Sequence, residues 1–128
     1  MANRKYIVGN WKMNGLREQL SDITEIAGVA DQHKDVDVAI CPPATLIAQA
    51  ANNSPGFMIG AQDCHFATNG AHTGCLSADM IREAGAIMTI LGHSERRADQ
   101  HETDADVKAK AEAVHRVGLG AIICVGET

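Results

Sequence analysis

Residues 6–14 read Tyr-Ile-Val-Gly-Asn-Trp-Lys-Met-Asn, and this stretch decides between two folds built from parallel strands. Its first four residues form a short apolar run, typical of a strand covered on both faces of a sheet. A doubly wound nucleotide-binding sheet has a glycine-rich turn directly after its first strand. An amide, an indole and an ammonium group follow this run instead, so the doubly wound fold loses its main support and a barrel is favoured.

The rest of the chain repeats the same unit of one apolar run followed by a segment of helical period. Four further apolar runs lie at residues 36–41, 57–61, 87–92 and 121–125. Such alternation is typical of parallel βα units. We therefore predict one α/β domain over residues 1–128, with about five strands and four helices.

Apolar spacing and capping residues predict where the helices lie. Apolar residues recur every three or four positions within residues 16–30, which indicates one buried helical stripe. Pro43 suits the start of the second helix. Ser77 is a candidate N-cap for the third helix, and Gly85 can end it with a positive φ. Thr103 is the candidate N-cap of the fourth helix.

Composition and charge exclude several classes of partner. The chain has 128 residues, 45% of them hydrophobic, and a formal net charge of -5. The longest run of basic residues is Arg96-Arg97, which argues against a nucleic-acid surface. No apolar run approaches the roughly 20 residues needed to cross a bilayer, and the start lacks the apolar core of a signal peptide. We therefore expect a cytoplasmic chain without a membrane partner, whose four cysteines are reduced thiols.

The first candidate site follows the first apolar run. Side chains alternate across a strand, so Asn10 and Lys12 are predicted on one face and Trp11 on the other. Ligands of α/β proteins bind where strands end, and a lysine there suits an anionic group. The alternative is that Lys12 is a solvated lysine at a strand end.

The second candidate site, residues 92–97, follows the fourth run. It reads Gly-His-Ser-Glu-Arg-Arg, which indicates a strand that turns directly into a helix, with Ser94 as candidate cap and Glu95 in the first turn. A histidine facing the positive end of a helix resists protonation. We therefore expect His93 to be a neutral hydrogen-bond donor that polarises a substrate. The alternative is a surface histidine beside a well-capped helix.

The segment of residues 62–76 has neither helical nor strand period. A loop of this length in a compact domain is usually functional or interacting. Its Cys64, His65, His72 and Cys75 could form a metal-binding module. Their spacing lacks the paired hooks of structural zinc sites, so we predict no metal and prefer a subunit contact.

Together these segments resemble triosephosphate isomerase in order and spacing, and the match runs over residues 6–128. The matching segments are residues 10–14, Gln62 with residues 70–74, residues 92–97, and residues 124–127. The resemblance implies parallel (β/α) units of a TIM barrel. That barrel has eight strands and about 250 residues, so the chain resembles its amino-terminal half, truncated after about five strands and four helices.

The resemblance also implies an activity, the interconversion of dihydroxyacetone phosphate and glyceraldehyde 3-phosphate through an enediolate, with no cofactor. Lys12 would attract the phosphate-bearing substrate and stabilise the enediolate, and Asn10 would position the substrate. His93 would be the neutral electrophile, and Glu95 an active-site carboxylate near Lys12. The positions that would support the site from behind are Cys124 and Glu127.

The resemblance implies a homodimer in which residues 62–76 insert into the neighbouring subunit. Thr73 would reach the partner's catalytic asparagine and lysine. This sequence has Cys75 where the family has a carboxylate that pairs across the interface with the arginine matching Arg96. Loss of that partner is expected to weaken the interface.

The family's glutamate base, its lid and its later phosphate-binding loops match no part of this chain. Glu127 follows the fifth predicted strand, whereas the family base follows the sixth, so we do not assign Glu127 as the base. We therefore expect the 128-residue chain to be inactive alone. The alternative is a non-catalytic half-barrel that binds anions or partner proteins.

Overall fold

A single sheet of five parallel strands organises the computed structural model, which describes residues 3–126. The strands are β1 (Lys5–Asn10), β2 (Val36–Cys41), β3 (Met58–Ala61), β4 (Met88–Leu91) and β5 (Gly120–Ile123). They lie side by side in chain order, β1-β2-β3-β4-β5. A doubly wound sheet reverses its strand order at a switch point, so the unbroken order confirms the barrel-type arrangement predicted from the sequence.

Helices connect successive strands. They are α1 (Leu20–Ala30), α2 (Ala44–Asn53), α3 (Ala78–Ala84), α4 (Ser94–Asp99) and α5 (Asp104–Arg116), and a 3₁₀ turn at Arg17–Gln19 precedes α1. The sequence predicted four helices. The fifth is α4, a helix of six residues between β4 and α5 that lies at the helix start predicted for residues 92–97.

One face of the sheet packs against the helices. The side chains buried there come from strands and helices alike, as alternation along a strand and one stripe along a helix require. The largest are Ile23, Ile47, Ile59, Ile81, Leu91 and Val114. This layer fixes the positions of the strand ends at which the candidate site lies.

The opposite face of the sheet has its own small core, made by Ala39, Cys41, Met88 and Ile90. Gly60 lies beneath it, and a Cβ there would come within 2.2 Å of the Met88 sulfur atom and 2.7 Å of the Cys41 sulfur atom. Only glycine allows these side chains to pack across β3. Burial raises the pKa of Cys41 to about 11, so its thiol stays protonated and behaves as a small apolar group.

The predicted caps of α3 and α5 are confirmed. The Ser77 hydroxyl accepts a hydrogen bond from the Met80 N–H at 3.2 Å, and Gly85 ends α3 with a φ of 119°. Thr103 and Asp106 form a capping box, with hydrogen bonds of 3.1 Å and 3.0 Å. These local patterns are sufficient because each cap uses residues close in sequence.

The predicted start of the first helix was wrong. Leu16 was placed in its buried stripe, yet this side chain is 69% exposed and α1 begins at Leu20. The Leu16 N–H donates to the Gln19 side-chain oxygen at 2.6 Å. This local bond forms the 3₁₀ turn, so the chain enters the helix one turn later than the apolar spacing indicates.

Both outer strands of the sheet expose apolar side chains. Tyr6 and Ile7 of β1 are 47% and 54% exposed, and Ile123 of β5 is 50% exposed. Within residues 3–126, none of the helices has the length and apolar character that a membrane span requires.

Candidate functional site

The candidate site lies where β1, β3 and β4 end. Asn10 is the last residue of β1, Gln62 follows β3, and His93 follows β4. All three line one cavity of about 340 Å³, together with Lys12 and Glu95. The structure therefore brings both sequence-predicted sites together at the carboxyl edge of the sheet, where barrels of this type place their active sites.

A larger groove of about 550 Å³ lies near the start of β2 and the end of α1. Its charged groups already have partners, because Arg4 pairs with Asp37 and Lys34 with Asp31. It also lies away from the carboxyl ends of the strands. We therefore place the candidate site in the smaller cavity.

Lys12 owes its position to a turn rather than to β1. Its φ is +57°, a conformation that costs a residue with a side chain roughly 1 kcal/mol or more. The Asn10 side-chain oxygen accepts from the Lys12 N–H at 2.9 Å. Gln62 donates to the Lys12 carbonyl at 2.9 Å and to the Cys41 carbonyl at 3.0 Å. The alternation of side chains along a strand, from which Asn10 and Lys12 were predicted on one face, therefore does not apply beyond Asn10. Gln62 positions the Lys12 backbone, whereas the sequence indicated Gln62 only as part of a motif of the resemblance.

Lys12 and Glu95 form an ion pair across the cavity. The Lys12 Nζ lies 2.9 Å from Glu95 Oε2, and both side chains are 51% exposed. The hydrogen bond from Lys12 lowers the pKa of Glu95, so this carboxylate is ionised at neutral pH. An exposed pair contributes little to stability. Because the Lys12 side chain is half exposed, its ammonium group is accessible to an anion from solution.

His93 caps the short helix α4 with its own ring. The Glu95 N–H donates to His93 Nδ1 at 3.1 Å, and α4 begins at Ser94. The prediction that Ser94 is the cap was therefore wrong, because an imidazole nitrogen takes the role expected of a hydroxyl. His93 Nδ1 also lies 3.4 Å from Glu95 Oε1, but the backbone N–H is the closer partner, so a neutral ring carries its proton on Nε2. The ring is thus oriented as a hydrogen-bond donor.

A partly buried network of two cations and two carboxylates forms one wall of the cavity. Arg96 Nε lies 3.2 Å from Asp63 Oδ2 and 3.3 Å from Glu102 Oε2. Lys110 Nζ lies 3.0 Å from Asp63 Oδ1 and also binds Glu102. Arg96, expected to lack its carboxylate partner because of Cys75, thus has two partners within its own chain.

Charges in this network shift one another's pKa. Burial raises the pKa of Glu102, but hydrogen bonds from Lys110 and Arg96 lower it more, and the net shift is downward. Burial raises the pKa of Asp63 despite its bond to Lys110. Sequence reasoning missed the network. One sequence pattern could have indicated it: Lys110 lies on the same face of α5 as Val107 and Val114, and a lysine on a buried face needs a partner of opposite charge.

The loop of residues 62–76 presents its predicted interface residues to solvent, since Thr73 and Cys75 are both exposed. His65 stacks on His72 with ring centroids 4.0 Å apart. Within residues 3–126 no group of three or more histidine, cysteine or acidic side chains is arranged to hold a metal ion. The metal-binding alternative therefore has no support in the described part of the chain.

Of the two residues predicted to support the site from behind, the structure describes Cys124. Cys124 follows β5, lies partly buried against the inner core, and its carbonyl accepts from Arg97 Nη2 at 3.4 Å. Burial raises the pKa of the Cys124 thiol. Glu127 lies outside the described residues.

Comparison with known proteins identifies the family. The triosephosphate isomerase family model matches residues 5–128. The triosephosphate isomerase of Ruegeria sp. (strain TM1040) is 58% identical over 98% of this chain and 50% of its own length. That of Rhodopseudomonas palustris (strain BisA53) is 52% identical over 99% and 52%.

A solved structure agrees with these relatives. The crystal structure of triosephosphate isomerase from Bartonella henselae superposes with a TM-score of 0.92 at 47% identity, covering 98% of this chain and 52% of that one. The chain thus spans about half the length of the relatives that it matches, and its five parallel strands are those of a truncated TIM barrel. The chain belongs to the triosephosphate isomerase family.

Proposed function

We propose that the cavity at the ends of β1 and β4 is the anion-binding and electrophilic side of an isomerase active site. The reaction interconverts dihydroxyacetone phosphate and glyceraldehyde 3-phosphate through an enediolate. One observation carries the proposal: the Lys12 ammonium group and the His93 imidazole, oriented as a donor, line the same cavity.

Lys12 supplies positive charge to a substrate that carries a phosphate dianion. Its ammonium group is half exposed and held by a single carboxylate. It can therefore attract the substrate and stabilise the negative charge that develops on the enediolate oxygen. Asn10 fixes the Lys12 backbone, and in the proposal it also positions the substrate.

His93 acts as a neutral polariser. With Nδ1 bonded to the Glu95 N–H, Nε2–H is the group that donates to the carbonyl and hydroxyl oxygens of the substrate. A donor that is oriented in advance stabilises developing charge without reorganisation during the reaction. Glu95 holds the Lys12 ammonium group within the cavity and makes the third catalytic residue.

Proton abstraction from the substrate carbon requires a base that the resemblance places after a sixth strand. The described residues contain five strands. We therefore propose that the 128-residue chain binds a triose phosphate weakly and does not isomerise it.

We further propose a homodimer formed through residues 62–76. Exposure of Thr73 and Cys75 supports it, as does Met13 beside the site, whose side chain is 96% exposed. Arg96 is bound within its own chain, so its contact with a partner depends on the free donors of its guanidinium group. A cytoplasmic location is supported by the free thiols of all four cysteines.

The binding step is testable on the chain as it is. Titration of the ¹⁵N-labelled chain with dihydroxyacetone phosphate should shift the amide resonances of Asn10, Lys12 and Glu95. Lys12→Met should weaken this binding about tenfold or more, the effect of losing a charged hydrogen-bond donor. Lys108→Met, at an exposed position of α5, is the matched control and should bind as the original chain does. Shifts confined to other regions, or equal binding by both variants, would contradict the proposed site.

A further inference from the structure

The side chain of Arg97 joins three elements around His93. Its Nε donates to the Gly92 carbonyl at 2.8 Å, and its Nη1 lies 2.6 Å from Asp104 Oδ1 at the start of α5. Its Nη2 donates to the Cys124 carbonyl at 3.4 Å. One guanidinium group thus connects the end of β4 with α5 and with the segment after β5.

Two of the bonds that Arg97 makes bracket His93. The Gly92 carbonyl belongs to the peptide group whose nitrogen is that of His93, so the guanidinium group fixes the peptide plane before the histidine. The Arg97 N–H donates to the His93 carbonyl at 3.1 Å and fixes the plane after it. The plane before the histidine therefore depends on the Arg97 side chain, whereas the plane after it is held by the backbone N–H groups of Arg96 and Arg97.

Gly92 makes the approach of the guanidinium group possible. Its φ is +69°, and a Cβ at this position would come within 2.8 Å of Arg97 Nη2 and 2.9 Å of Val107. Glycine is needed both for the conformation and for the space.

Helix α4 needs such external support. It spans six residues, and isolated helices of that length are not stable in water. The Glu95 N–H belongs to its first turn and is bonded to His93 Nδ1. If the first turn loosens, the ring loses the bond that keeps its proton on Nε2.

We propose that Arg97 is the positioning residue of His93: its guanidinium group fixes the peptide plane before the histidine and ties it to α5 and to the segment after β5, so that Nδ1 accepts and Nε2 donates. The importance of this orientation for catalysis rests on the function proposed above. A purely structural role for Arg97 would stabilise the fold as a whole without a selective effect on the imidazole.

Hydrogen exchange and the imidazole ¹⁵N spectrum of the 128-residue chain separate these two roles. Both are measured on Arg97→Gln and Arg97→Lys. The Met80 N–H, which is capped by Ser77 at 3.2 Å at the start of another short helix, is the internal control. Arg116→Gln is the matched control, because Arg116 is an exposed arginine of α5 whose nearest carboxylate lies 3.8 Å away.

We expect both Arg97 variants to lose about fivefold of the protection of the Glu95 N–H relative to the Met80 N–H, the effect of one net hydrogen bond. The ratio of the Nε2–H to the Nδ1–H form of His93 should fall by a similar factor. Lysine should not rescue either property, because an ammonium group cannot reproduce the planar fork of three contacts. Arg116→Gln should change neither.

Equal loss of protection at Glu95 and Met80 would assign Arg97 a structural role only and overturn the proposal. Full rescue by Arg97→Lys would overturn it too, since charge alone would then suffice. If neither Arg97 variant folds, the side chain is a fold determinant and the proposal fails. None of these readouts requires turnover, so they stand even if the proposed isomerase function is refuted.

Discussion

Replacement of Lys110 by methionine removes one partner of the buried Lys110–Glu102 pair. The Lys110 side chain is 8% exposed and that of Glu102 is 3% exposed. Methionine keeps most of the volume and removes the charge, which leaves Arg96 as the single cation beside Asp63 and Glu102. Breaking a buried ion pair by removing one partner costs about 3–5 kcal/mol. We expect the lower end, about 3 kcal/mol, because Arg96 still contacts both carboxylates.

Urea unfolding at 25 °C, followed by far-ultraviolet circular dichroism, measures this loss. Lys108→Met is the control on the same helix and, being exposed, should change the free energy of unfolding by less than about 0.5 kcal/mol. A loss for Lys110→Met no larger than that of the control would refute the account of the network.

The same variant makes a prediction about pH. Hydrogen bonds from Lys110 help to lower the pKa of Glu102, and a lowered carboxyl pKa contributes stability above the unfolded value that is lost as the pH falls through the folded value. Lys110→Met removes that contribution. The difference in stability between the original chain and the variant should therefore be largest at pH 7 and shrink below about pH 4. A difference that does not change with pH would contradict this assignment.

Three further predictions follow from packing, titration and exposed edges. Gly60→Ala should lower the free energy of unfolding in urea by about 1–3 kcal/mol, because its Cβ would clash with Met88. Gly28→Ala in α1 is the control: no atom lies within 4 Å of the new Cβ, so it should stabilise the chain by about 0.5–1 kcal/mol. The reverse order of stability would refute the packing described for β3. Burial and the neighbouring His72 lower the pKa of His65. The contribution of His65 to stability should therefore be complete above about pH 6.5 and decrease as the pH falls towards its pKa in the folded chain. His72→Phe should raise the pKa of His65 in an NMR titration, and an unchanged pKa would count against the stacked pair. The exposed apolar side chains of β1 and β5 should cause self-association in light scattering, and a monodisperse monomer would contradict this.

The strands and the caps of α3 and α5 were predictable because they depend on nearby residues. The apolar run of residues 36–41 coincides with β2, and Ser77 caps α3 through a residue three positions later. The residues of the two candidate sites were found separately in sequence. The parallel order of the strands then brings Lys12 and His93 into one cavity.

What the sequence did not predict depends on contacts between distant residues or on unusual donors. The bond between Gln62 and the Lys12 carbonyl joins residues 50 positions apart. The network of Lys110 with Asp63 spans 47 positions. The cap of α4 was misassigned because capping preferences favour serine over histidine, whereas the turn at Gly92 points the imidazole of His93 at the Glu95 N–H.

Isomerase turnover should be measured on the chain alone and after its assembly with the carboxyl-terminal half of the Ruegeria relative. We expect no turnover by the chain alone. We expect turnover by the assembled protein, and Lys12→Met and His93→Gln should each lower it about a hundredfold or more. The controls Lys108→Met and His115→Gln, at exposed positions of α5, should leave turnover unchanged. Turnover by the chain alone would contradict the proposed division of the active site. An assembled protein that is inactive, or whose turnover is unchanged by Lys12→Met and His93→Gln, would contradict the roles proposed for these residues.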